Sequence, residues 1–389
     1  MQEHFSFIDL FSGIGGFHQA MTHFGGRCVF ASEIDPNAIE VYRNNYGINS
    51  GINIRDVKTE DIPDHDVLCA GFPCQTFSKA GKRLGFMDKI RGTLFFEVAR
   101  ILQAKHPKFI ILENVRNLAS HDGGMTYRTI CETLQGIGYR IPKDPLILSP
   151  HQFGVPHIRE RIFIPGIYDP KNAKKPLNIV FDNLMSKKDN SIDDVLDGCE
   201  GDPYCAVTPH VIRVLTAWDE FYHGIDVKTI GFPVWSKYFN SEKIDADLPQ
   251  WKKDFILKNQ ALYKRNKKFI RSWLKKWNYL RDFTPTESKF EWQCGEAISS
   301  IWDGVIQIRP SGVRVKKPEA FQALVALVQT PIIGKYKRKI TVREAARLQS
   351  FPESFIPDPH PAKAYKQLGN SVNVLVVEKV FEKLLEEAK

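Results

Sequence analysis

Asp66-Val67-Leu68-Cys69-Ala70, followed at once by Gly71-Phe72-Pro73-Cys74-Gln75, is a short apolar run that breaks into a turn and delivers a thiol at the mouth of that turn. An uncharged run of this length reads as a buried strand of a parallel sheet. The carboxyl end of such a strand is where open α/β sheets build their sites. Phe109-Ile110-Ile111-Leu112 repeats the arrangement and ends in Glu113-Asn114-Val115. A nucleophile and a carboxylic acid would then share one crevice.

Outward from these two runs the pattern alternates. Residues 5–11, 27–32, 67–70 and 109–112 read as strands, and 16–24, 36–46, 94–104 and 127–137 read as helices. Strand then helix, repeated, means an α/β fold with a largely parallel sheet covered on both faces. A late strand is expected over 158–164, in antiparallel placement. After Gly166 the texture changes to polar stretches such as Lys187-Lys188-Asp189-Asn190-Ser191. The expected organisation is a catalytic and cofactor-binding domain over 1–180, a smaller irregular domain over 181–356, and a segment over 357–389 that returns to the first domain. Its helix, expected over 372–385, carries enough apolar residues to need a large surface.

A chain of 389 residues with 43% hydrophobic content is long enough for two domains. It has no run of 18 or more apolar residues, and Met1-Gln2-Glu3-His4 opens straight into a strand, so a cytoplasmic protein without membrane insertion is expected. Seven scattered cysteines fit reduced thiols better than a disulfide framework. Cys199, Cys205 and His210 match no usual zinc spacing, and no structural metal is expected. The net charge of +9 suggests a polyanionic partner. Residues 251–281 concentrate it: Lys252, Lys253, Lys258, Lys264, Arg265, Lys267, Lys268, Arg271, Lys275, Lys276 and Arg281 stand against the single acid Asp254, with aromatic residues interleaved. Such a segment grips phosphates, and its rings either fill a core or stack on bases.

Phe7-Ile8-Asp9-Leu10-Phe11 runs into Ser12-Gly13-Ile14-Gly15-Gly16 before a helix, and Glu33 ends the next strand. Glycines there permit a tight turn and close backbone approach to a ligand, and the carboxylate is placed to accept ribose hydroxyls. The dinucleotide fingerprint is absent in register, because the position of its third glycine holds His18. A nucleoside-type cofactor, a dinucleotide and a purely structural turn all remain compatible with the glycines alone.

Six elements occur in order: Asp9-Leu10-Phe11-Ser12-Gly13-Ile14-Gly15-Gly16-Phe17, Gly71-Phe72-Pro73-Cys74-Gln75, Glu113-Asn114-Val115, Gln152-Phe153-Gly154-Val155-Pro156 with Arg159-Glu160-Arg161, Arg347-Leu348-Gln349-Ser350-Phe351-Pro352, and Gln367-Leu368-Gly369-Asn370-Ser371-Val372. Together they resemble the bacterial cytosine-5 DNA methyltransferases of type II restriction-modification systems. The resemblance implies a Rossmann-like S-adenosylmethionine-dependent methyltransferase fold, with a mostly parallel mixed sheet and a variable target-recognition domain in the middle segment. It also implies a methyl transfer from S-adenosylmethionine to C5 of a flipped cytosine in duplex DNA, leaving S-adenosylhomocysteine. Cys74 would attack C6, Glu113 would act at N3 and the exocyclic amine, and Arg161, with Arg159 to a lesser degree, would meet the base O2.

For the cofactor, the resemblance implies Phe11, Gly13 and Gly15 at the methionine part, Glu33 at the ribose, Asp56 at the adenine amine, and Asn370 and Ser371 closing the pocket. Ser78, Lys82 and Arg83 would belong to a lid over flipped DNA, and Arg314 and Gln329 are expected near the DNA in the recognition segment. His157-Ile158 stands where the family commonly has Gln-Asn, and His157 is read as structural. The implied partners are double-stranded DNA and, functionally but without a stable complex, a cognate restriction endonuclease; the enzyme is expected to act as a monomer. Rival readings are a tRNA methyltransferase using the same thiol chemistry, a binding module without catalysis and an NAD-dependent dehydrogenase.

Overall fold

A computed structural model describes residues 5–73, 94–198, 203–227, 230–241, 244–324 and 329–389. They form two compact units, one taking in Met1–Asn190, Gln322–Ala326 and Val342–Lys389, the other Ser191–Phe321 and Leu327–Thr341. The chain thus first returns to the first unit at Gln322 and returns to it for good at Val342, earlier than the expected 357. The reason is packing: Ala345, Ala346 and Leu348 are fully buried, and the Leu348 carbonyl accepts from Asn373 and His157 of the same unit.

In the first unit β1 (Ser6–Leu10), β2 (Arg27–Ser32), β3 (Val67–Gly71) and β4 (Phe109–Val115) alternate with α1 (Gly16–His23), α2 (Pro36–Tyr46), α3 (Leu94–Lys105) and α4 (Met125–Ile137). β5 (Tyr139–Arg140), β6 (Leu146–Leu148) and β7 (Arg161–Tyr168) follow. The strand order is β2-β1-β3-β4-β7-β5, with β6 also paired to β7. The first four strands are parallel, and β7 lies antiparallel to β4 along seven residue pairs. Val67 to Ala70 have no solvent exposure, as an uncharged central strand requires. Local signals set the helix limits. Asp35 caps α2 by accepting from the Asn37 N–H, Pro36 occupies its first turn, and Gly47 ends it at φ 70°.

The second unit holds α5 (Pro209–Gly224), β8 (Val234–Trp235), α6 (Gln250–Arg265), α7 (Lys267–Lys276), β9 (Lys289–Gln293), β10 (Val305–Arg309), β11 (Gly312–Lys316), β12 (Ile332–Ile333) and β13 (Arg338–Lys339). Its sheet runs β13-β12-β10-β11-β9-β8. Trp218 stacks on Phe290 at 5.1 Å and meets Trp273 at 5.3 Å, and both indole N–H groups donate to backbone carbonyls. Of the aromatic residues within 251–281, Tyr263, Trp273 and Trp277 are therefore core, whereas Trp251 and Tyr279 are exposed.

α8 (Val342–Leu348), α9 (Pro361–Asn370) and α10 (Val374–Glu387) complete the first unit. α10 buries Val376, Val377, Val380, Phe381 and Leu384, a stripe at helical spacing, and Phe381 packs against Phe5, Phe24 and Phe109. This is the apolar surface that the last helix needed. Among the described residues no helix is long and apolar enough to cross a membrane.

Candidate active site

A cleft of about 530 Å³ opens in the first unit at the carboxyl ends of β1 to β4. Phe11, Gly13, Glu33, Glu113, Arg159, Arg161, Asn370 and Ser371 all line it, so residues up to 360 positions apart in the chain meet around one space. Its volume is that of an ordinary small-molecule site.

One wall is the glycine turn. Glu33 Oε2 accepts the Gly13 N–H at 2.8 Å, while Oε1 accepts the N–H groups of Ile34 and Asp35 at 2.7 and 2.9 Å. The carboxylate therefore fixes the turn and the start of the following loop together. Gly13 has a φ of 53°, and a Cβ there would meet nothing within 4 Å, so the backbone borders open space that a ligand can approach. Gly16 serves a different contact: its Cβ would stand 2.7 Å from Ser371 Oγ and 2.9 Å from the Val372 carbonyl. Behind the turn, His18 is wedged between Tyr42 and Tyr46, bonded to the Tyr42 hydroxyl at 2.7 Å and stacked on the Tyr46 ring at 3.9 Å. Burial pushes the His18 pKa down to about 4. A side chain of this size packs against α2 at the position where the dinucleotide fingerprint keeps a glycine for close helix–strand packing.

The opposite wall carries the charged groups. Register pairs Gly71 of β3 with Glu113 of β4, so the two strand ends quoted at the outset lie side by side. Arg161 Nε is 3.2 Å from Glu113 Oε1, both side chains being largely buried. Burial pushes the Glu113 carboxyl above its ordinary range, and the guanidinium groups of Arg161 and Arg159 pull it partly back. The result is a carboxyl that holds its proton more readily than a solvated one, next to fixed positive charge. Asn114 donates to the Phe72 carbonyl at 2.8 Å and accepts from the Val115 N–H. That bond ties the end of β4 to the backbone two residues ahead of Cys74. Pro73 lines the cleft; Cys74, Ser78, Lys82 and Arg83 lie outside the described residues.

Arg159 faces a different way from its neighbour. It is buried, and its terminal nitrogens donate to the carbonyls of Leu324 at 3.2 Å and Ser371 at 2.9 Å. His157 Nδ1 meets the Leu348 carbonyl at 2.9 Å and Nε2 meets the Leu324 N–H at 3.4 Å. The first contact requires a protonated Nδ1 and the second an unprotonated Nε2, so the ring is neutral in one tautomer. Its pKa is pushed down to about 3 by burial and by the Arg159 charge.

Other expected positions fall elsewhere. Asp56 is exposed and outside the cleft lining, which on that side is formed by Ile52, Asn53 and Ile54 instead. Gly15 is also outside the lining, against the Tyr46 ring. In the second unit, Arg314 donates to Glu291 at 2.6 Å from the middle of the sheet, and Gln329 is half-buried. Among the described residues no group of three or more potential ligands is arranged for a metal ion. His210 is bonded to Glu287, and Cys199 lies outside the described residues. Sequence reasoning quoted Asn114 only within Glu113-Asn114-Val115 and gave it no role, and it did not single out Ile52, Asn53 or Lys366.

The family described as C-5 cytosine-specific DNA methylase matches residues 5–386. The type II methyltransferase M.AluI of Cellulosimicrobium cellulans is 32% identical, over 97% of this chain and 91% of its own length. The type II methyltransferase M.NlaX of Neisseria lactamica is 33% identical, over 98% and 96%. Among solved structures, the Dnmt2 methyltransferase of S. pombe aligns with a TM-score of 0.56 at 20% identity over 99% of both chains. A putative DNA modification methyltransferase from an E. coli prophage aligns at 0.54 and 22%, over 98% of this chain and 99% of its own. At these identities the two structures speak to the fold alone.

Proposed function

This chain belongs to the C-5 cytosine-specific DNA methylases, and on that premise we propose that it methylates a cytosine flipped out of a specific duplex sequence, through a covalent bond between Cys74 and C6. The observation that carries the reading is the Glu113 carboxyl, buried beside Arg161 at the end of β4, with Asn114 holding the backbone that leads to Cys74.

The Cys74 thiolate adds to C6, and the displaced π electrons move onto the C4–C5 bond as N3 takes the Glu113 proton. Burial raises the Glu113 pKa, which keeps that proton available. Arg161 faces the charge that develops on the base and, after proton transfer, the Glu113 carboxylate. C5 is then nucleophilic; after its alkylation a base removes the C5 proton, the thiolate leaves C6 and N3 returns its proton to the Glu113 carboxylate, restoring the aromatic ring and the enzyme. The target must leave the stack, because neither face of a stacked base is open to a thiol.

S-adenosylmethionine supplies, when bound, an electrophilic methyl group. The cleft fits it: Gly13 leaves an open cradle beside backbone, Glu33 offers the remaining lone pairs of a fixed carboxylate to ribose hydroxyls, and Phe11, Ile34, Ile52 and Ile54 form an apolar side for a purine. Asn370 and Ser371 close the cleft from the chain's far end. Asp56 is assigned the adenine amine by the family resemblance alone, its exposed side chain lying beside the lining residues Asn53 and Ile54 in sequence and outside the lining itself.

The second unit, with Arg314 and Gln329, is assigned target recognition, and Ser78, Lys82 and Arg83 a lid role at the DNA. The same reading makes the protein a monomer that protects host DNA against a partner endonuclease. Transfer of labelled methyl from S-adenosylmethionine to unmethylated duplex DNA, with base-resolution mapping, tests it. A single recurring sequence carrying 5-methylcytosine is expected; label in tRNA and none in DNA would overturn it.

A further inference from the structure

We infer that the outer face of α7 is a docking surface for duplex DNA phosphates, formed by Lys267, Lys268, Arg271 and Lys275. The inference rests on DNA being the substrate and assigns a surface that none of the six sequence elements touches.

Residues 251–281 hold eleven cations and one acid, a net +10, so the chain's +9 leaves −1 for all other residues together. The positive balance of the molecule is thus a local feature. At about 100° per residue, Lys267, Arg271, Lys275 and Lys268 fall within an arc of roughly 100° on α7. The opposite arc carries the buried Ile270 and Trp273 and the partly buried Phe269 and Leu274. All four cations are exposed, and among the described residues none has an ion-pair partner. Their neighbours differ: Arg265 is held by Asp226 and Lys276 by Glu220.

An ordinary solvated helix does not explain this face. α10 shows that case in the same protein, with Lys379–Glu382 and Lys383–Glu386 pairs along it. On α7 the first turn has no acid and carries two lysines, which opposes the helix dipole. Lys267, Arg271 and Lys275 repeat at i, i+4 and i+8, where like charges repel. The arrangement costs helix stability at both points and gains from a polyanion.

The geometry suits DNA. Lys267 and Lys275 are separated by about 12 Å of helix rise, a length over which a duplex presents about seven phosphate charges. Beside the stripe, a shallow depression of about 510 Å³ is lined by Arg265, Asn266, Lys268, Phe269 and Ser272 with Asp226, so donors continue past the helix edge.

The test uses the full-length enzyme after methyl transfer to DNA has been established for the preparation, so that failure of the substrate reading is seen first. The variant K267Q/K268Q/R271Q/K275Q is compared with wild type for duplex affinity across a salt series. The slope of log Kd against log salt is expected to fall by about 2 to 4, with affinity at moderate salt reduced at least about tenfold and the rate at saturating DNA retained. In the wild type, bound duplex is expected to shield Lys267, Lys268 and Lys275 from acetylation. An unchanged salt slope, or equal acetylation with and without DNA, would overturn the assignment whether or not the variant is stable.

Discussion

Replacing Asn114 by alanine isolates the link between the acid and the thiol. The side chain is buried and makes two backbone contacts, donating to the Phe72 carbonyl at 2.8 Å and accepting from the Val115 N–H at 2.8 Å. Val115 is 41% exposed, so water replaces the second contact; Phe72 is only 3% exposed, so its carbonyl is left unpaired. One unpaired buried group costs about 1–3 kcal/mol. Taking about 2 kcal/mol, a unit of this size loses about 4–8 °C in its unfolding midpoint. The kinetic effect should exceed the thermodynamic one. The released backbone leads directly into Pro73 and Cys74, and a misplacement on the order of 1 Å at a reacting group costs about 100-fold in rate. Single-turnover methyl transfer is therefore expected to fall about 100-fold, while cofactor affinity, proposed to rest on Glu33 and the glycine turn, is expected to be largely kept. Asn114→Asp should not rescue it, because it turns an oxygen toward the Phe72 carbonyl. A lowered midpoint with a single-turnover rate within about twofold of wild type would refute the reasoning, showing that other contacts place the thiol.

Glu113→Gln keeps the shape of the side chain but cannot release a proton, and the turnover number is expected to drop about 10²- to 10⁴-fold. Because burial raises the Glu113 pKa, its protonated form and the stability it lends are complete at low pH and are lost as pH rises through the folded-state value; a pH–rate profile should show an alkaline limb that the variant lacks. Gly16→Ala would push a Cβ to 2.7 Å from Ser371 Oγ and 2.9 Å from the Val372 carbonyl, and calorimetry should find S-adenosylmethionine binding weakened at least about tenfold. His157, with its pKa lowered from 6.5 to about 3, binds a proton more readily when unfolded. Its contribution to stability is thus complete above about pH 6.5 and declines by up to about 1.4 kcal/mol per unit of pH below it, and His157→Gln should flatten that part of the acid unfolding curve.

Much of the first unit was legible because its signals are local. Short uncharged runs such as Val67 to Ala70 and Phe109 to Leu112, each closed by a turn or polar residues, read as buried strands, and Asp35-Pro36 and Gly47 mark the limits of α2 within the sequence itself. The strand ends then bring Gly71 and Glu113 together by register alone. Arg159 was not legible in the same way. Its partners, the carbonyls of Leu324 and Ser371, lie 165 and 212 residues away, and nothing in Arg-x-Arg tells which arginine turns to the backbone and which to Glu113. Asp56 follows a similar lesson, since a motif position does not reveal that Ile52, Asn53 and Ile54 reach the cleft first. The second unit was read from charge and aromatic content, which identified its basic segment but not its sheet; two-residue strands such as Val234–Trp235 and Ile332–Ile333 are set by pairing across the chain and leave no periodicity to read.

The covalent route can be tested with duplex DNA carrying 5-fluorocytosine at the mapped target. Fluorine cannot leave C5 as a proton does, so an enzyme that has added to C6 and delivered its methyl group stays attached to the base. With S-adenosylmethionine present, the wild type should form a complex that survives denaturation, and mass spectrometry should place the modified base on the peptide containing Cys74, with none formed by Cys74→Ser. Normal methylation of ordinary DNA with no adduct on the fluorinated duplex, or an adduct on another residue, would contradict the assignment of Cys74 as the nucleophile.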